Sequence, residues 1–146
     1  MKKLFIAALL TLTLATSAFA ADDKKVSVKI RNSFNTEFGD LDNVQWTVKA
    51  NFVKASFEVE GEKVDAFYDL NGESLGQSRK ISLDKLPVQA KRSFAKKYSD
   101  YTVKEAIRFD GVDESAYFIS AENDKQSVIL KATATGISVF KKTIKN

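Results

Sequence analysis

Residues 26–59 repeat at a fixed offset of 60, and this internal duplication constrains the fold more than any other feature of the chain. Val26, Val28, Ile30, Ser33, Phe34, Phe38 and Asp40 fall on Leu86, Val88, Ala90, Ser93, Phe94, Tyr98 and Asp100. Further on, Phe57 and Val59 fall on Tyr117 and Ile119, and a small insertion in the second copy then aligns Gly72 with Gly136. The matched positions are those that carry the hydrophobic periodicity, so each copy is expected to build the same small unit.

Each copy opens with an apolar stripe at a spacing of four, the signature of one buried helix face. The first stripe is Val26, Ile30, Phe34 and Phe38; the second is Leu86, Ala90, Phe94 and Tyr98. Asp22 and Asp23 stand where a cap is wanted, and Pro87 suits a first helical turn, where its missing N–H costs nothing. Lys91, Arg92, Lys96 and Lys97 lie off the stripe, as a solvated face requires.

After each helix the period changes to two. Val44, Trp46 and Val48 mark a first strand, with Trp46 expected on the core side opposite Phe57. Ala55, Phe57 and Val59 then alternate with Lys54, Ser56 and Glu58. A hairpin turn at Gly61-Glu62 pairs Val59 with Val64, Phe57 with Ala66 and Ala55 with Tyr68, and Asn71-Gly72 supplies the next turn. In the second copy Val103, Ile107 and Phe109 mark the first strand. Asn123-Asp124 turns Ile119 onto Val128 and Tyr117 onto Leu130, and a loop over residues 133–136 sets Leu130 against Val139. The expectation is an α+β fold of two tandem repeats, each one helix followed by a four-stranded antiparallel β-meander. Residues 21–81 form the first and 82–146 the second, and no Pro/Gly/Ser linker separates them, so they pack as one body.

The chain begins with Met1-Lys2-Lys3, an apolar run from Leu4 to Ala15 and the small-residue segment Thr16-Ser17-Ala18-Phe19-Ala20. That three-part pattern is an export leader cleaved after Ala20. The run is too short, and too broken by Thr11, Thr13, Thr16 and Ser17, to serve as a spanning helix. Removal of residues 1–20 takes Lys2 and Lys3 with it, leaving 126 residues with 21 basic against 19 acidic side chains. So even a balance gives no electrostatic basis for nucleic-acid binding. The chain has no cysteine and no histidine. It therefore has no disulfide, no Ser-His or Cys-His pair and no ordinary zinc site. Cohesion falls to apolar burial, for which eleven Phe, four Tyr and one Trp supply the area.

Short motifs give the chain a family resemblance. Val44-Gln45-Trp46 opens the sheet, Phe57-Glu58-Val59 lies in the second strand, Ala66-Phe67-Tyr68-Asp69-Leu70-Asn71-Gly72 spans the third strand and its turn, and Leu86-Pro87-Val88 opens the second helix. In these the chain resembles the beta-lactamase-inhibitor-like, PepSY-like family of exported bacterial proteins. The resemblance implies a tandem helix-plus-four-strand arrangement whose sheet surface grips another protein, with no cofactor and no enzymatic activity. The family's turn aspartate is replaced by Asn71, and the second copy lacks the turn motif.

Given the expected register, the side of the second sheet opposite Tyr117, Ile119, Val128, Leu130 and Val139 carries Phe118, Ile129 and Phe140. Phe67 takes the comparable place in the first copy, flanked by Ser56 and Gly76. Such an apolar stripe either receives a protein or peptide or buries against the other repeat or a helix as a second small core. Glu58 and Asp65 are expected to face one another on the solvent side, where close carboxylates can share a proton or hold a cation. Asp69 to Glu73 has some look of a calcium loop but lacks the ligand ladder and distal glutamate, and a hairpin turn explains it. The reading favoured is a non-catalytic periplasmic module that binds, and inhibits or regulates, another exported protein. The partner-binding residues are Phe67, Phe118, Ile129 and Phe140, with no catalytic, cofactor-binding or metal-ligating residue. The alternative is a carrier of a small apolar or amphipathic ligand held between helix and sheet. An enzyme working through carboxylates or lysine is a third reading, for which no motif places a nucleophile beside a base.

Overall fold

The computed structural model describes residues 25–146. The leader, its cleavage point after Ala20 and the capping aspartates Asp22 and Asp23 lie outside the described residues. Helix α1 (Val28–Phe38) precedes strands β1 (Gln45–Val48), β2 (Val53–Val59), β3 (Glu62–Tyr68) and β4 (Ser74–Lys80). A short 3-10 turn (Leu83–Lys85) leads to helix α2 (Val88–Lys97), then β5 (Thr102–Gly111), β6 (Ser115–Glu122), β7 (Gln126–Thr133) and β8 (Gly136–Ile144).

The strands correct the expected architecture. All eight belong to a single antiparallel sheet in the order β1 to β8, one continuous meander with two helices, rather than two repeats each with a four-stranded sheet of its own. The physical reason lies in the strand edges. A separate meander would end at β4 with a row of unpaired N–H and C=O groups, and a second would begin at β5 with another. Pairing β4 with β5 satisfies both rows.

By packing, residues 25–79 with 109–115 form one compact unit, and residues 80–108 with 116–146 form another. In the first, α1 is capped by Ser27, whose Oγ accepts a hydrogen bond from the Ile30 N–H at 3.3 Å. It ends at Gly39, whose positive φ of 81° suits glycine and whose N–H bonds the Asn35 carbonyl at 2.9 Å. Ile30 and Phe34, four residues apart, drive into a core with Trp46, Ala55, Phe57, Val64, Ala66 and Tyr68. The Phe34 ring meets those of Phe38, Trp46 and Phe57 at centroid distances of 5.2, 5.3 and 5.1 Å. Ser33 Oγ donates to the Gly72 carbonyl at 2.6 Å and ties the helix to the β3–β4 turn. In the second unit α2 starts directly after Pro87, and Lys96 and Lys97 occupy its last turn, where cations complement the helix dipole. Ala90 packs on Ala106, Ile119, Ala121, Val128, Leu130 and Ala132.

Two hairpins differ from expectation by the same step. The β2–β3 turn centres on Glu60-Gly61, with φ of 51° and 80°, rather than on Gly61-Glu62. Both central residues of this tight turn take positive φ, the geometry that matches strand twist. Phe57 therefore pairs with Val64, Ala55 with Ala66 and Val53 with Tyr68, while Trp46 faces Ala55 rather than Phe57. At β6–β7, Asn123 Oδ1 accepts from the Lys125 and Gln126 N–H groups, each at 3.0 Å, so Asp124-Lys125 is the central pair. Ile119 then pairs with Leu130 and Tyr117 with Ala132. Moving a turn centre by one residue moves the pairing by two, which keeps every side chain on its original face. Leu130 does pair with Val139, but Val139 is 53% exposed rather than core, because β8 is the last strand and has a neighbour on one side only.

Candidate functional site

Strand alternation sorts the buried residues into two faces. In the second unit, Phe118 lies between Tyr117 and Ile119, and Ile129 lies between Val128 and Leu130; those four neighbours pack on the α2 side. Phe118 and Ile129 therefore point to the opposite face. Phe140 joins them through a bulge: Leu130 pairs with Val139 and Ile129 with Lys141, which leaves Phe140 as the extra residue of β8. Its ring meets Phe118 edge to face at 5.4 Å. The structure thus brings Phe118, Ile129 and Phe140 onto one face of one unit.

Phe67 belongs to the other unit. It lies between Ala66 and Tyr68 of the α1-side core, so it too faces away from its helix, paired with Gly76 on β4 and Lys54 on β2. Its ring packs with Phe52 at 5.9 Å and Phe109 at 6.5 Å. Phe52 escapes periodicity-based reading because it precedes its strand; periodicity puts Phe109 in a strand, but its packing on Phe67, far back along the chain, is not legible that way. Among the described residues, neither helix packs on these second faces, since Ile30, Phe34 and Ala90 all belong to the helix-side cores. In the 146-residue chain Phe67, Phe118 and Ile129 are buried, Phe118 being 0% exposed, and Phe140 is half-buried.

A charged residue that sequence reasoning missed is buried in β5 of the second unit. Ala106 packs on the α2 side, as does Val103 three residues earlier, and Glu105 and Ile107 on either side of Ala106 are both buried. The Glu105 side chain is only 7% exposed, yet neither carboxylate oxygen accepts a hydrogen bond. Its ionic partner is Lys80, whose ammonium lies 3.2 Å from Oε1 and whose side chain is 66% exposed. The available signal was Glu105 itself, a carboxylate standing in the two-residue period of Val103, Ile107 and Phe109.

The other acidic candidates have ordinary partners. Glu58 faces Lys63, and Asp65 faces Ser56, whose Oγ donates to Asp65 Oδ1 at 2.6 Å; the two carboxylates are not brought together. Asp69 Oδ1 accepts from the Asn71 and Glu73 N–H groups, each at 2.9 Å, as a turn-forming aspartate does. Glu122 accepts from Lys104 at 2.7 Å and Lys145 at 3.2 Å, and these hydrogen bonds hold its carboxyl below the usual glutamate range. Among the described residues no three carboxylates converge. Chemically the second faces offer aromatic and aliphatic area interspersed with polar groups, among them Lys131 and Ser120, which pair with Phe118 and Ile129, and Lys54, which pairs with Phe67.

No family model matches the sequence, and no curated protein does. Solved structures share the fold. A DUF2874 family protein from Bacteroides uniformis superposes with a TM-score of 0.70 at 15% identity, over 81% of this chain and 88% of its own. A protein from Bacteroides eggerthii whose description places it provisionally in the periplasm gives 0.70 at 14%, over 82% and 88%. A BLIP-like protein from Bacteroides fragilis gives 0.65 at 16%, over 88% and 89%. At these identities the likeness is one of fold.

Proposed function

We propose that this chain is a non-catalytic protein-binding module of the bacterial periplasm, and that it docks its partner on the second faces of its sheet. The observation that carries the reading is the composition of those faces: Phe118, Ile129 and Phe140 in one unit and Phe67 in the other, all turned away from the helices. Large aromatic groups gathered on a sheet face are the usual anchors of protein recognition. The fold shared with a BLIP-like protein and with a protein described as periplasmic supports both the compartment and the binding role. The absence of histidine and cysteine from the sequence favours binding over catalysis.

The carrier reading draws less support. In the first unit the space between helix and sheet is filled by Phe34 against Phe38, Trp46 and Phe57, a packed core rather than a ligand chamber.

The test uses the processed chain carrying either Phe140→Asp or the pair Phe118→Ser and Ile129→Ser. The expected result is loss of a periplasmic partner recovered by cross-linking to the wild type, with circular dichroism and melting temperature preserved. Unfolding of the double variant while Phe140→Asp keeps the partner makes the face a second core and refutes the reading.

A further inference from the structure

We infer that the free edge of β8 is a further interaction surface of this chain, and that it takes up an extended acidic polypeptide segment as a ninth strand. The inference does not depend on the second faces of the sheet, because it uses the backbone and side chains of the last strand.

Strands β1 and β8 are the two edges of the sheet. A bare edge carries a row of unpaired N–H and C=O groups, and proteins commonly protect it by keeping the strand short. β1 is protected in that way, with four residues, but β8 runs for nine. Within β8, Ser138, Val139 and every residue from 141 to 144 are exposed. Lys141 and Lys142 are consecutive, so one ammonium stands on each side of the sheet. Neither has a carboxylate partner among the described residues. Their unit is strongly basic: residues 80–108 with 116–146 hold thirteen Lys and Arg against five Asp and Glu, whereas 25–79 with 109–115 hold seven against twelve. Lys91, Arg92, Lys96 and Lys97, all exposed on α2, which packs on β8, belong to the same basic unit. Such a field steers an acidic segment to the edge. Main-chain hydrogen bonds then hold the added strand, and carboxylates opposite both lysines select it. The same two lysines repel a second copy of β8, so the edge is guarded against itself while staying open to acidic strands. Val139 and Ile144, 53% and 71% exposed, offer apolar contacts to the residues flanking the acidic pair.

The experiment titrates the processed chain, residues 21–146, with the blocked peptide Thr-Val-Thr-Glu-Glu-Thr-Val-Thr and with its Gln-Gln and Lys-Lys counterparts, following amide NMR shifts. Two further forms of the acidic peptide are N-methylated at alternate residues, one set in each. The acidic peptide is expected to bind roughly 2- to 30-fold more tightly than the Gln-Gln peptide, the factor two cross-strand ion pairs supply. The gain should disappear in high salt, and hydrogen exchange should slow at alternate residues of β8. One N-methylated form should fail to bind while the other binds, because only one edge of an added strand faces β8. Lys141→Glu with Lys142→Glu, at exposed positions, should turn the preference to the Lys-Lys peptide. No binding, or equal binding of the three unmethylated peptides, overturns the inference. Equal binding of the two N-methylated forms reduces it to surface charge and overturns the strand edge. A wild-type dimer joined through β8 gives the edge to a second copy, and binding of phosphatidylglycerol vesicles without response to the acidic peptide gives the surface to lipid; either overturns it. None of these results bears on Phe67, Phe118, Ile129 or Phe140 as docking residues.

Discussion

Replacing Gly76 by alanine tests how closely the β5–β6 hairpin presses on β4. Gly76 has a φ of +134°, a conformation that L side chains avoid. A Cβ there would stand 2.6 Å from the Asp110 carbonyl oxygen, 2.8 Å from Gly111 Cα and 2.8 Å from Phe109 Cζ. Two of those three atoms are backbone, held in a hairpin where the Gly111 N–H bonds the Glu114 carbonyl at 2.9 Å, so no rotamer change relieves the overlap. The strained φ costs roughly 1–3 kcal/mol and the overpacking another ~1–3 kcal/mol, together about 2–6 kcal/mol against a total stability of about 5–15 kcal/mol. At about 4 °C per kcal/mol for a chain of this size, melting falls by ~8 °C or more. Gly61→Ala is the control: its φ of +80° is also positive, though nearer the left-handed region open to L residues, and nothing lies within 4 Å of the added carbon. That variant should lose only about 1–2 kcal/mol. Urea and thermal denaturation of the two purified variants measure the difference. Adding Phe109→Leu to Gly76→Ala should not restore stability, because the carbonyl contact remains. Equal losses at Gly76 and Gly61, or full rescue by Phe109→Leu, would refute the backbone-contact argument.

Phe34→Ala should destabilise by roughly 3–5 kcal/mol, because it empties the centre of four rings, whereas Val28→Ala on the exposed side of the same helix should stay within about 0.5 kcal/mol; urea midpoints compare them. Tyr68 is fully buried and donates to Glu37 Oε2 at 2.8 Å. Burial, then that hydrogen bond and the carboxylate's charge, raise its phenol well above the ordinary value of 10.0. The neutral phenol's contribution is therefore complete below the unfolded value and is lost as the medium turns more alkaline. Denaturation midpoints on either side of pH 10 should fall more for wild type than for Tyr68→Phe, which keeps the raised phenol of Tyr98 but has lost that of residue 68.

Helix positions were legible because a stripe such as Ile30, Phe34 and Phe38 needs only a spacing of four and a polar remainder. The face of each strand residue was legible for a related reason: an error of one in a turn centre shifts pairing by two, so Phe67, Phe118 and Ile129 kept their sides though the registers of β2–β3 and β6–β7 did not hold. Turn centres themselves were harder to read. Glu60 takes a φ of 51° that few non-glycine residues adopt, and nothing in its side chain announces it. Within the candidate site, the aromatic residues could be found by alternation. Glu105 could not be weighed, because a glutamate in a strand is solvated or starved of donors according to what surrounds it, and those surroundings come from elsewhere in the chain.

Sequence alone determined the helices, the alternation and the chemistry this chain lacks, because those depend on local spacing and on residue types present or absent. Only tertiary structure decided that eight strands make one sheet, that Val139 lies open on an edge strand, and that a bulge turns Phe140 onto Phe118. Each of these is set by which backbone groups remain unpaired until a distant strand arrives, and a pattern of side chains carries no record of that.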